Sequence, residues 1–194
     1  MLERNDLRFG PIGASCAHVC SDMQRLYAED TEWERPYMGL VLPVIRGIVS
    51  VHPKRTFFTR FIPARYPEER TDAWRRYYER WACMTTEKIG LLPQLAVFVP
   101  PAAVIDKRVY SPWHWPELDI RLRERSVDTI IVTGIRVLST VLGAVDRGYR
   151  VVVAADALCS SSEETRDALL ALLRSRYSEQ VETVPSDVII ENWH

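Results

Sequence analysis

Three places in this 194-residue chain combine residue types that could do chemistry. The first is Asp22, which ends the short apolar run Ala17-His18-Val19-Cys20-Ser21 and opens the triplet Asp22-Met23-Gln24. A carboxylate at the carboxyl end of a strand can accept a proton from a substrate or nucleophile; it can equally cap the turn that follows. The second is Lys107, which follows the run Ala102 to Asp106 introduced by Pro100-Pro101. A lysine at a strand end is commonly a solvent-facing terminus. Placed at the same sheet edge as an aspartate, its ammonium favours and orients the ionised carboxylate that a general base requires. The third is the turn Thr133-Gly134-Ile135-Arg136, where an apolar run meets a helical pattern.

The element that must position these groups is the stretch from Val127 to Leu158. Ile130-Ile131-Val132 reads as a buried strand ending at Thr133-Gly134. Val137, Leu138, Val141, Leu142 and Val145 then recur at helix spacing up to Arg147-Gly148, and Val151-Val152-Val153-Ala154-Ala155 gives a second strand ending at Asp156. A strand, helix and strand of this kind force parallel pairing with the helix laid over the sheet. Ligands of such sheets bind beyond the carboxyl ends of the strands, which puts Gly134 at the active edge.

The remaining pattern extends the same architecture. A helix is predicted from Glu34 to Val51, with Pro36 near its start, Pro43 inside it, and Met38, Val41, Leu42, Ile45, Ile48 and Val49 facing the sheet. Arg55 to Phe61 is the second strand. A long helix is expected from Thr71 to about Ile89, its stripe of Trp74, Tyr77, Tyr78, Trp81 and Met84 serving core or subunit contact. Leu118, Ile120, Leu122 and Arg125 form a short helix. Ser162 to Thr165 caps another, with Ala168, Leu169, Leu170, Leu172 and Leu173 inward. Gln180 to Val184 is a last edge strand, and Asp187 to Trp193 a closing helical turn. The fold class expected is a three-layer α/β/α sandwich with a mainly parallel sheet of about six strands, in one domain spanning residues 1–194.

The segment TGI…VLSTVLGAVDRGYRVVVAADAL, together with Asp22-Met23-Gln24 and DKRVYSPWHWPELD, resembles the isochorismatase-like cysteine hydrolases, and the resemblance covers nearly the whole chain. It implies a small-molecule hydrolase of C–N amide bonds. Asp22 would take a thiol proton, Lys107 would support Asp22, and the thiolate would attack the carbonyl to give a thioester that water releases. Backbone N–H groups of the turn would hold the oxyanion, at roughly 3–4 kcal/mol per donor. In this family a Thr-Asp-containing turn delivers the cysteine at the start of the helix. Here that turn is roughly four residues shorter and Arg136 stands where the cysteine would align. A guanidinium is always protonated and is no nucleophile. Ser139, a helical turn onward, has no evident base, and Cys20 and Cys159 read as buried structural thiols.

Three readings follow from the resemblance: an amide hydrolase that has lost its nucleophile, an acid-only vinyl-ether hydrolase in which Asp22 holds a proton in a dry pocket against the influence of Lys107, or a catalytically silent binding or assembly protein with Arg136 holding a carboxylate ligand. Tyr66, Tyr110, Trp113, His114, Gly134 and Ile135 are expected to line the pocket, with Trp74 at its border, and a homo-oligomer is implied.

Composition bounds the rest. At 47% hydrophobic, 26% charged and a net charge of −1, the chain lacks the concentrated positive charge that nucleic acid or an anionic membrane requires. Arg75, Arg76 and Arg80 read as a solvated helix face. No apolar stretch approaches the roughly 20 residues that span a bilayer, and the first ten residues carry no signal-peptide core, so the expected address is cytoplasmic. Cysteines 16, 20, 83 and 159 have no metal spacing. His52 alone lies near the second strand, while His18, His114 and His194 are scattered, so neither a metal nor another cofactor is expected.

Overall fold

Each apolar run forms a strand because its β-branched and aromatic side chains can be buried on both faces of a parallel sheet at once. The computed structural model describes residues 7–29, 37–81 and 87–194. Among them, β1 (Cys16–Ser21), β2 (Thr56–Phe61), β3 (Ala103–Lys107), β4 (Thr129–Ile135), β5 (Arg150–Cys159) and β6 (Val181–Val184) pair in the order β3-β2-β1-β4-β5-β6. Every pairing is parallel. Alternation within the strands divides the core. Cys16, Cys20, Ile131 and Val152 face α1 (Met38–Val51) and α7 (Ser186–Asn192). Ala17, Val19, Ile130, Val132, Val151 and Val153 face α4 (Glu117–Glu124), α5 (Val137–Val145) and α6 (Glu163–Arg176). The result is the expected α/β/α sandwich.

Strand order reverses direction between β1 and β4, so their carboxyl ends flank the point where crossovers leave to opposite faces. That is where such sheets open a crevice for ligands. Asp22 follows β1, Gly134 to Arg136 close β4, and Lys107 ends β3, with β2 lying between β1 and β3.

Several expectations change. The helix predicted to 89 is α2 (Asp72–Arg80), ending with Trp81 as its cap, followed at 87–90 by a turn and then by the single-turn α3 (Pro93–Ala96). Met84 and Cys83 lie outside the described residues, as do Glu34 and Pro36. Helix α1 runs continuously through Pro43. In α6 only Leu170 and Leu173 are buried; Ala168 and Leu172 are exposed because just one narrow stripe meets the sheet. Ile120 is likewise exposed on α4. Ser162 caps α6 as expected, accepting from the Thr165 backbone N–H at 3.2 Å. No helix among the described residues is long and apolar enough to cross a membrane.

Candidate functional site

The end of β1 is locked to its neighbour before any side chain reaches the edge. In register, Ser21 pairs with Thr59 of β2 and with Gly134 of β4. Gly134 has φ +99°, and a Cβ there would stand 2.2 Å from the Ser21 carbonyl oxygen, so only glycine admits this approach of the two backbones. Gln24 clamps the other side. Its Oε1 accepts from the Phe61 N–H at 2.7 Å, and its Nε2 donates to the carbonyls of Phe61 at 3.0 Å and Ile89 at 2.8 Å. Between these anchors Asp22 adopts φ 55°, a left-handed conformation that costs a non-glycine residue roughly 1 kcal/mol or more.

Asp22 is fully buried and both its oxygens accept hydrogen bonds. Lys107 Nζ donates to Oδ2 at 2.7 Å, and Thr59 Oγ1 donates to Oδ1 at 2.8 Å. Lys107 reaches over the end of β2 and spends its other protons on the carbonyls of Tyr110 at 3.0 Å and Val109 at 3.3 Å. Burial pulls the Lys107 ammonium below the usual lysine value; Asp22 opposes that, and the nearby Arg136 charge adds to it. Two acceptor oxygens facing donors are the arrangement of an ionised carboxylate.

Arg136 is the single residue between β4 and α5, with φ 57° and ψ 34°. Its guanidinium turns into a ring of aromatics, 4.9 Å from the centroid of Tyr27, 5.1 Å from Phe61, 5.2 Å from Tyr110 and 5.9 Å from Tyr77. Its Nη2 donates to the Tyr77 hydroxyl at 2.6 Å. Burial acts against the charge of Arg136, but Tyr27, Tyr77 and Asp22 outweigh it and hold the guanidinium above its usual value. Lys107 Nζ lies 6.0 Å from the centroid of the same Phe61 ring.

The structure therefore gathers Asp22, Lys107, Arg136, Tyr110 and Gly134 at one edge. Other expected pocket residues lie elsewhere. Trp113 is buried in the opposite core, stacked on Tyr149 with its Nε1 donating to the Thr140 carbonyl at 2.9 Å. His114 is exposed against Trp115, and Tyr66 is exposed on its loop. The aromatic stripe of α2 makes contacts within the chain: Trp74 packs on Phe61 and Tyr110, and Tyr77 holds Arg136.

Among the described residues, the thiols offer no substitute at the carboxylate. Cys20 is buried in β1 and its thiol is pushed up to about 12, chiefly by burial and further by the Asp22 charge. Cys159 is the last residue of β5 and is buried. Ser139 Oγ donates to the Tyr110 carbonyl at 2.9 Å. Two cavities border this edge. One of about 400 Å³ lies between the start of α5 and α6, lined by Gly134 to Leu138, Cys159, Ala168 and Leu172. The other, about 750 Å³, lies outside the edge strand β3 against α4 and is not lined by Asp22 or Arg136. Among the described residues no group of three His, Cys, Asp or Glu side chains could hold a metal ion.

Residues 16–184 match the family model of the isochorismatase domain. The chain belongs to the isochorismatase family. Over 149 residues it is 33% identical to an uncharacterized isochorismatase family protein of Bacillus subtilis, YwoC, covering 71% of this chain and 77% of that one. A cysteine hydrolase from Pseudomonas syringae pv. phaseolicola has a TM-score of 0.83 at 22% identity, covering 98% of each chain. The N-carbamoylsarcosine amidase of Thermoplasma acidophilum has a TM-score of 0.73 at 19% identity, covering 89% of this chain and 96% of that one. At these identities the two structures speak for the shared fold, an α/β sandwich around a parallel sheet.

Three residues beside Asp22 and Arg136 in this isochorismatase-family chain escape a reading of the sequence. Thr59 is one residue among several in RTFFTRF, and only the β1–β2 register puts it beside Asp22. Tyr27 and Phe61 come from separate elements and both face Arg136. The local signal was aromatic density without a direction.

Proposed function

We propose that this chain is an isochorismatase-like hydrolase of the C–N amide lineage that keeps the acid and its lysine but carries Arg136 in place of the nucleophile, so that it forms no thioester. The observation that carries this reading is the buried contact of Lys107 Nζ with Asp22 Oδ2, 2.7 Å long, lying beneath a turn whose apical residue is Arg136. Asp22 would serve as the base for a thiol delivered by a longer turn, with Lys107 and Thr59 holding it in orientation. An acid-only vinyl-ether hydrolysis fits less well, because Asp22 would have to donate a proton from oxygens that both accept hydrogen bonds here. Arg136 sits among aromatics rather than at an open rim, which supports a small-molecule pocket closed by the chain itself.

The same reading expects a cytoplasmic protein acting on a small molecule. A homo-oligomer, also expected, would draw on exposed apolar residues such as Leu40 and Val97.

The test is to replace Arg136 with the longer Thr-Asp-x-Cys turn ahead of Val137 and to assay a broad panel of primary amides. Amide hydrolysis that appears with the turn and disappears with iodoacetamide supports the proposal. A folded turn-restored chain that cleaves no amide sinks the assignment to this lineage.

A further inference from the structure

Arg136 is surrounded as a ligand would be. Among the described residues, four aromatic rings contributed by four separate segments stand within 4.9–5.9 Å of its guanidinium carbon. That is the range in which a cation is attracted to the face of a ring, and the attraction grows as water is excluded. The walls also pack on other parts of the chain. Phe61 and Tyr27 are fully buried in their own elements. Tyr77 is braced edge-on by Trp74 at 5.1 Å and by Tyr78 at 5.4 Å, and Tyr110 lies against Trp74 at 5.0 Å. Tyr77 also supplies a hydroxyl acceptor at 2.6 Å, and Asp22 supplies negative charge beneath. An aromatic ring set and a directional acceptor favour a planar organic cation over a neutral amide or an anion, with the Asp22 charge attracting it and the Lys107 charge opposing it.

We propose that the space above Asp22 and Lys107 is an aromatic cage for a small planar organic cation of the N-alkylguanidinium class, filled in the native chain by Arg136 acting as a tethered ligand. This rests on the reading of that space as the former substrate pocket and changes what the pocket accepts. Arg136 blocks entry of a neutral amide, and only a group with the charge and shape of its guanidinium makes the same contacts. The left-handed backbone at Arg136 delivers the side chain inward from a one-residue turn.

The experiment uses the full chain with Arg136→Gly, which removes the tethered cation and suits the positive φ. Methylguanidinium chloride is titrated against it by calorimetry and thermal melting, beside N-methylurea as the neutral isostere and sodium chloride at matched ionic strength. The cage predicts that methylguanidinium binds at least tenfold more tightly than N-methylurea. It also predicts a rise in melting temperature of about 3–5 °C at ten times the dissociation constant. The native chain, already filled, shows no such rise. Equal effects of the cation and its isostere, an equal response of the native chain, or no binding would overturn the proposal. If Arg136→Gly does not fold unaided, its refolding yield is read in each solute. Recovery in methylguanidinium alone supports the cage, and equal or no recovery overturns it. An inactive turn-restored chain bears on the amide lineage, whereas a failed cation titration bears on the cage alone.

Discussion

Removing Lys107 should expose how strongly the buried pair is coupled. In Lys107→Met the stem is kept and the ammonium is lost, so Asp22 remains fully buried with Thr59 Oγ1 as its remaining side-chain donor. Breaking one partner of a buried pair typically costs about 3–5 kcal/mol, because a desolvated charge is left uncompensated. With a urea dependence of about 2 kcal/mol per molar, the unfolding midpoint should fall by about 1.5–2.5 M. Asp22→Asn suits the left-handed backbone at this position, since asparagine tolerates φ near +55° better than most residues. The double variant should recover at least about 2 kcal/mol relative to the sum of the single losses, because it leaves no buried charge unpaired. The assay is urea unfolding of the four proteins followed by tryptophan fluorescence and circular dichroism. Single losses that add to within about 0.5 kcal/mol would refute the coupling and with it the pairing of the acid and the amine.

Other perturbations address separate parts of the structure. His18 is buried between Thr133 and Thr56, and burial lowers its pKa to about 3 from 6.5, so the unfolded chain binds its proton first. Stability should therefore fall as pH drops from 6.5 toward 3, by up to about 1.4 kcal/mol per unit, and the part of that slope missing in His18→Gln measures the histidine; an unchanged slope contradicts a neutral core histidine. Gly134→Ala forces a Cβ against the Ser21 carbonyl at a positive φ and should cost about 3 kcal/mol or more in chemical unfolding, a loss that a freely adjustable turn would not show. Trp113→Phe removes the hydrogen bond to the Thr140 carbonyl and should lower stability by about 1 kcal/mol while leaving methylguanidinium binding to Arg136→Gly unchanged; a change in that binding would return Trp113 to the pocket.

The sequence was most legible where period and topology constrain each other. The stretch from Val127 to Leu158 could be read as strand, helix and strand because its apolar runs are long and its turn residues are glycines. Asp22 and Lys107 could be brought to one edge because parallel strands all point their carboxyl ends the same way. Helix α2 was overextended because aromatic spacing persists past Arg80, while Trp81 caps the helix. Trp113 was misplaced for a different reason. It follows Lys107 closely in sequence, yet the chain turns it to the opposite face, where the gap above Gly143 admits its indole. Thr59 and the rings around Arg136 depend on register and on contacts between distant segments, which composition cannot order.

Under the proposed function, Asp22 and Lys107 are a base and its supporting amine beneath a shortened turn that has lost its thiol. The most direct measurement is intact-mass detection of an acyl adduct, after acid quench, on the turn-restored chain given an amide substrate, alongside the same chain with Asp22→Asn and the native chain. An adduct is expected on the turn-restored chain, lost in Asp22→Asn and absent from the native protein. An adduct that forms equally without the Asp22 carboxylate, or on the native chain, would contradict it.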